Sequence, residues 1–331
     1  MASHSTVLPP DTDLSLVADI GATNARFGLI GPQGLIAAEI LPCAGHPSLE
    51  AAILAFLAAV APDAHPRTAA VAFAGPVTGD RISLTNHPWT FSREGARRTL
   101  GLERLEVVND FTAVALSIPL LSDSDRIQIG TGTADEHGTI GIIGAGTGLG
   151  VSGLVFSREG WIALSGEGGH VTMSPITERE SAVLARMRQH FGHVSAERLV
   201  SGSGLVNLYQ TLSELDGIEP RPLTPADVSE FAIRDGDPLC TEALDMFCAM
   251  LGTVAGNLAL SLGARGGIYI AGGIVPRFAT YFAQSQFRHR FVDKGRLRGY
   301  LAPIPTYLVT HELPAFLGLQ AVLQGVAPVS P

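Results

Sequence analysis

Runs of like charge, paired cysteines and a basic surface are all missing from this 331-residue chain. Charged residues are only 16% of it and the formal net charge is -9. That argues against a nucleic-acid partner, which needs concentrated positive charge. The three cysteines, Cys43, Cys240 and Cys248, are widely spaced and make no C-x-x-C. Neither a disulfide framework nor structural zinc is expected, and a reducing compartment is. The opening MASHSTVLPPDTD has neither a basic region nor an apolar core, so it reads as a flexible tail over 1–13 rather than a signal peptide, and the location as cytoplasmic. Catalytic signatures are absent too. Without GK[ST] there is no Walker A loop, without H-E-x-x-H no zincin site, and without G-x-S-x-G no nucleophile elbow.

What is abundant is apolar sequence, at 46% of residues. With this length it makes a large core and two domains the natural expectation. One run, MFCAMLGTVAGNLALSLGA between Asp245 and Arg265, is uncharged and long enough to cross a membrane. Thr253, Asn257, Ser261 and several glycines interrupt it and no second span exists, so it reads as a core helix with no membrane partner.

Patterning along the chain gives an α/β order. Val17, Ile20, Phe27, Leu29 and Ile30 with the turn at 31–34 predict a β-meander. A Ser-capped helix is expected over 48–61, a buried strand over 69–77, the strand LEVVND, and a helix over FTAVALSIPLL. GTIGIIGAGTGLGVSGLVF (138–156) then begins the same order again, as two strands around a glycine turn. A helix over 242–263, a strand over 267–273 and a helix after Pro276 follow. The repetition predicts an internally duplicated α/β protein with mixed central sheets and a cleft between its halves. The break falls in the polar stretch at 120–138. The domains expected are 14–120 with 311–331, and 121–310.

Three glycine turns stand out. ADIGATNARFG puts Asp19, Gly21, Thr23 and Asn24 between two strands, where small residues let amides approach a phosphate, or simply make a hairpin turn. GAGTGLGVSG contains a formal G-x-G-x-x-G, Gly148, Gly150 and Gly153, with Glu167 at the distance of a dinucleotide-fold acid. That match fails on context, because a β-branched strand follows where the motif needs a helix. YIAGGIVP ends a strand at Gly272 and Gly273, where a flat ring can lie against the backbone or where the chain merely turns.

Polar residues gather between these elements: Asn86 in LTNHPWTFS, Glu167 and His170 in LSGEGGHVTMSP, and Glu197 in FGHVSAERLV. No metal-binding partner set accompanies them. Glu167 and Glu197 have the types for a glycosidase pair, but a glycosidase has no use for phosphate turns. A sugar pocket suits the set, since carboxylates, imidazoles and amides match hydroxyls. Asn109 and Asp110 join a strand to a helix, and either caps that helix or serves chemistry there.

DIGAT, then GTG and AGG each about 125 residues further on, resemble the phosphate-1, phosphate-2 and adenosine motifs of the actin-like ATPase (ribonuclease H-like) superfamily. TNHPW, NDFTAVA, GAGTGLG, GEGGHV, GHVSAERLVSGSGLVNLY and AGGIVPRF together resemble the bacterial glucokinase family over nearly the whole chain after residue 14. The related repressor/kinase sugar family carries a Cys cluster that this chain lacks, and no DNA-binding segment is expected before Asp19. The resemblance implies ATP-dependent phosphorylation of D-glucose at its 6-hydroxyl, with Mg²⁺ bound through water near Asp19, in a homodimer. It implies Asp110 as the general base and Asn109, Glu167, His170, Glu197 and Asn86 as sugar ligands. It places ATP on Ala18, Asp19, Ile20, Gly21, Ala22, Thr23, Asn24, Gly146, Thr147, Gly148, Gly272 and Gly273. Family members often have a glycine where this chain has Ala22, and a methyl fits there if φ is negative.

Overall fold

The apolar alternation after residue 14 folds as a meander. In the computed structural model of the chain, which describes residues 13–21, 23–75, 77, 79–84 and 88–325, its strands are β1 (Ser15–Ile20), β2 (Asn24–Gly31) and β3 (Gly34–Pro42). Leu16, Val17, Ala18 and Ile20 are fully buried, so β1 has both faces covered, as a central strand does. The next strands are β4 (Thr68–Phe73), the small hairpin β5 (Arg81–Ser83) with β6 (Thr90–Ser92), and β7 (Arg104–Asn109). The strand expected over 69–77 stops at Phe73. The main sheet runs β3-β2-β1-β4-β7, with β1, β4 and β7 parallel and the meander antiparallel.

The second sheet is built from β8 (Arg126–Ile129), β9 (Ile140–Ala145), β10 (Leu149–Ser157), β11 (Gly160–Gly166), β12 (Gly267–Ala271) and β13 (Thr306–Val309). Its order is β11-β10-β9-β12-β13-β8. The antiparallel pair β9–β10 and the parallel run β9, β12, β13 repeat the arrangement of the first sheet, and β8 adds an antiparallel edge. The strand after Gly148 is why the G-x-G-x-x-G is no dinucleotide motif: β10 pairs straight back on β9.

Two compact units result. The first holds the described residues up to Leu120, Ser157–Ala163 and the segment from Glu312 onward; the second holds Leu121–Phe156 and Leu164–His311. In the first, the helix Leu49–Val60 is capped as expected, Ser48 Oγ accepting the Ala51 amide at 3.2 Å. The helix Pro314–Leu323 packs on the helix Asp110–Ser117, where a Cβ on Gly318 would collide with the Ala113 carbonyl. Arg104 donates to the Val322 and Leu323 carbonyls at that helix's C-terminus, at 3.1 and 3.0 Å.

The apolar run of membrane length lies inside the second unit. It forms the helix Pro238–Leu262, which begins four residues before the expected start because Asp237 caps it and Pro238 takes the first helical position. It is long and apolar enough to cross a membrane, yet 78% of its most apolar stretch is buried. Gly252 and Gly256 bring it against the helix Phe287–Val292, whose Phe287 and Phe291 carbonyls occupy the space of a side chain. Beside them Arg290 forms a buried ion pair with Glu180, at 2.6 Å. Cys43, Cys240 and Cys248 are free thiols, all buried, and burial pushes those of Cys240 and Cys248 up to about 12.

Candidate active site

In the first unit, three parallel strands end level with one another. Ile20, Phe73 and Asn109 are register partners across β1, β4 and β7. The residues just beyond them, Gly21 and Asp110, therefore leave one carboxyl edge, the side where open α/β sheets bind ligands. Two strand spacings put the glycine turn and the Asn109–Asp110 joint about 10 Å apart along that edge.

Within the turn, the Gly21 amide donates to the Asn24 carbonyl at 3.0 Å, and Asp19 pairs with Arg26 at 3.2 Å. Burial raises the Asp19 carboxyl above the usual range and Arg26 offsets this only in part. Ala18 and Ile20 are fully buried inside β1, so their side chains serve the core; Asp19, Gly21, Thr23 and Asn24 reach the surface. Ala22 and Asn86 lie outside the described residues. Cys43, to which the sequence reading gave no role, braces this turn. Its amide donates to the Thr23 carbonyl at 2.9 Å and its thiol to the Gly21 carbonyl at 3.3 Å.

At the joint the structure decides which residue caps the helix. Asn109, not Asp110, is the N-cap: its Oδ1 accepts the Phe111 and Thr112 amides at 3.0 and 3.1 Å, and its Nδ2 donates to the Gly75 carbonyl at 3.3 Å. Asp110 is the first helical residue, half-buried, with one carboxylate oxygen accepting the Phe111 amide at 2.8 Å. Asp110 therefore stands in the first turn of the helix, where the helix dipole favours negative charge.

The second unit gathers the remaining predicted residues. Gly146, Thr147 and Gly148 link β9 to β10, closed by the Gly146 amide on the Gly148 carbonyl at 2.8 Å. Among the described residues other than its chain neighbours, none comes within 4 Å of where a Cβ on Gly146 would stand, so the space beside that backbone is open. Gly272, at φ +88°, presses against the Ala145 carbonyl, which admits no side chain, whereas Gly273 is open. Beyond them the chain winds as a 3-10 turn over Val275–Phe278 and becomes α-helical only at Ala279, later than Pro276 predicts. An open groove of about 290 Å³ lies beside this turn, lined by Ala226, Glu230, Ile233, Arg234, Arg277 and Phe278 among others.

Glu167 and His170 bracket a short 3-10 turn whose Gly168 and Gly169 allow it to lie on Val151 and Leu149 of β10. The 194–197 segment pairs with the stretch after this turn, and the Glu197 amide donates to the Gly169 carbonyl at 2.9 Å. Glu167 and His170 are exposed and Glu197 is half-buried. Glu197 thus shares one loop pair with Glu167 and His170, although it lies 27 positions beyond His170 in the sequence. Ser201 and Gly202, which carry no predicted role, start the helix Gly202–Leu215, and the Gly202 amide donates to the Gly146 carbonyl at 2.9 Å. Among the described residues, no group of three or more His, Cys, Asp or Glu is placed to hold a metal ion.

The family model for glucokinase matches residues 16–326. The chain belongs to the glucokinase family. It is 51% identical over 314 residues to the glucokinase of Paramagnetospirillum magneticum, across 94% of this chain and 98% of that one. The crystal structure of a glucokinase from an Antarctic psychrotroph superposes with a TM-score of 0.84 at 36% identity, over 94% of this chain and 99% of that chain. A ROK family glucokinase from Streptomyces griseus, solved with glucose and AMPPNP, shares the mixed α/β sugar-kinase fold at a TM-score of 0.62 and 17% identity, over 93% and 98%.

Proposed function

We propose that this chain transfers the γ-phosphoryl group of ATP to the 6-hydroxyl of D-glucose, giving glucose 6-phosphate and ADP. The observation that carries the reading is the level ending of β1 and β7, which brings the 21–24 turn and the Asp110 carboxylate to one sheet edge. The two units act as the duplicated halves of an actin-like kinase. Asp110 accepts the proton of the attacking hydroxyl as the new O–P bond forms and the bond to ADP breaks. Glu167, His170 and Glu197 hold ring hydroxyls, with Asn109 and Asn86 beside them. The amides of the 21–24 and 146–148 turns hold the phosphates, and the helix N-terminus at Gly202, aimed at Gly146, adds positive field there. The adenosine lies on Gly273, with the neighbouring groove receiving its base. The glucose and AMPPNP found together in the Streptomyces griseus neighbour support this substrate pair.

Magnesium fits as an ion carried by the nucleotide. A single carboxylate, Asp19, stands at the phosphate turn with a fifth of its side chain exposed, which suits water-mediated contact. The ion supplies neutralising charge to the phosphates when bound. A cytoplasmic homodimer belongs to the same reading.

A coupled ADP-release assay across a panel of hexoses tests the activity. D-glucose is expected to drive ADP formation, and an absence of glucose-dependent ADP would end the proposal.

Asp19 supplies a second test. Its carboxyl is raised by burial, so its contribution to stability is fully present below the ordinary value of about 3.9 and is lost as pH rises through the folded value. At neutral pH the ionised side chain is therefore a liability to the fold, and its half-exposed pair with Arg26 offsets little. Asp19→Asn is expected to melt no lower than the parent at pH 7.5 while losing most turnover. A lower melting temperature with full turnover would show Asp19 to be structural.

A further inference from the structure

Glu197 has a divided carboxylate. Its Oε2 accepts the amide of Leu149, the residue immediately after the Gly146–Thr147–Gly148 turn, at 3.0 Å. A Cβ on Gly148 would fall well inside contact distance of the same oxygen, so the carboxylate lies directly against the turn. No described residue bonds Oε1. The backbone of Glu197 is pinned on both sides: its amide donates to Gly169, in the loop of Glu167 and His170, and its carbonyl accepts Ser201 Oγ at 2.8 Å. Ser201 Oγ also caps the helix whose Gly202 amide reaches Gly146. The segment 197–202 therefore touches the phosphate turn twice, once by the Glu197 side chain and once by the Gly202 backbone, and touches the sugar loop once.

We propose that Glu197 is a positioning residue for the phosphate turn as well as a sugar ligand. Oε2 fixes the Leu149 amide and with it the direction of the Gly146–Gly148 amides, and Oε1 takes a ring hydroxyl. This rests on the sugar-kinase reading. A carboxylate shared in this way has one torsional freedom for two tasks. A hydroxyl on Oε1 holds the rotamer that also holds the turn, so sugar and nucleotide strengthen each other's binding by the same factor. The short reach also explains why position 148 is glycine: any side chain there displaces the carboxylate from the Leu149 amide.

The test is the affinity for Mg²⁺-ADP measured by calorimetry with no sugar present, a condition in which a residue serving only the sugar has no effect. Glu197→Ala is expected to weaken ADP binding about 10- to 150-fold, the range for losing a hydrogen bond to a charged acceptor. Glu197→Gln keeps an acceptor for Leu149 and is expected to bind ADP within about 2-fold of wild type, while glucose affinity falls in both variants. Should Glu197→Ala fail to fold, Glu197→Asp reads the same comparison, because its carboxylate is one methylene short of the turn. Unchanged ADP affinity in Glu197→Ala or Glu197→Asp, with weakened glucose binding, overturns the positioning role and leaves the kinase reading intact. A wild-type chain that binds no ADP overturns both.

Discussion

Asp110→Asn is expected to lower kcat by about 10²- to 10⁴-fold, the range for removing a general base, with D-glucose still bound. The structure makes this a clean experiment. The cap of the helix Asp110–Ser117 is Asn109, whose Oδ1 serves both the Phe111 and Thr112 amides, so the helix start does not depend on residue 110. An asparagine at 110 retains an oxygen for the Phe111 amide that Asp110 Oδ1 accepts at 2.8 Å. What it loses is the ability to take a proton. An interaction made only in the transition state lowers kcat and kcat/KM together, which separates this outcome from a loss of sugar affinity. Steady-state kinetics with a parallel glucose titration reads both. A variant that keeps near-wild-type kcat would show that Asp110 is not the base.

Arg290→Met is expected to cost about 3–5 kcal/mol of stability, because it leaves the Glu180 carboxylate buried and without its counter-ion. Glu180 and Arg290 are among the few charged residues in the core, with side chains 3% and 9% exposed. Arg290 makes two contacts to Glu180, at 2.6 and 3.1 Å, and two more to Thr253 Oγ1, at 3.2 and 2.9 Å. Glu180 also receives the Ile176 amide at 2.7 Å. One salt bridge thus ties the helices Glu178–Phe191, Pro238–Leu262 and Phe287–Val292 together. In a unit of this size the loss corresponds to a fall in Tm on the order of 10 °C. Glu180→Gln in the Arg290→Met background removes the stranded charge and keeps an acceptor for Ile176, so the double variant should recover part of the loss. A single variant that melts with the parent would mean that water reaches Glu180.

The elements readable from sequence were those with local signatures. The meander, the Ser48 cap, the strand leading to Asn109, the glycine turn at 146–148 and the long core helix all have a period, a cap or a turn that local sterics impose. The short strands Arg81–Ser83 and Thr90–Ser92, the edge strand Arg126–Ile129 and the strand Thr306–Val309 have too few residues to display a period and form because a neighbour is there to pair with. The site divides in the same way. Asp110, Glu167, His170 and the glycines stand out by residue type and place in a motif. The brace of Cys43 on Gly21, the Leu149 amide on Glu197 and the Gly202 amide on Gly146 join residues 22, 48 and 56 positions apart, and nothing local announces them. Which residue caps the helix was not legible for the same reason, since Asn and Asp are equally good cap residues and only the backbone decides which one stands outside the helix.

The central claim is phosphoryl transfer to the 6-hydroxyl, and the product tests it most directly. Wild-type protein is incubated with Mg²⁺-ATP and either D-glucose or 6-deoxy-D-glucose, with ADP and glucose 6-phosphate measured in parallel. The account predicts equal amounts of ADP and glucose 6-phosphate with D-glucose, and no ADP above the sugar-free background with the 6-deoxy sugar. Equal ADP release with both sugars, or ADP from D-glucose without glucose 6-phosphate, would contradict it.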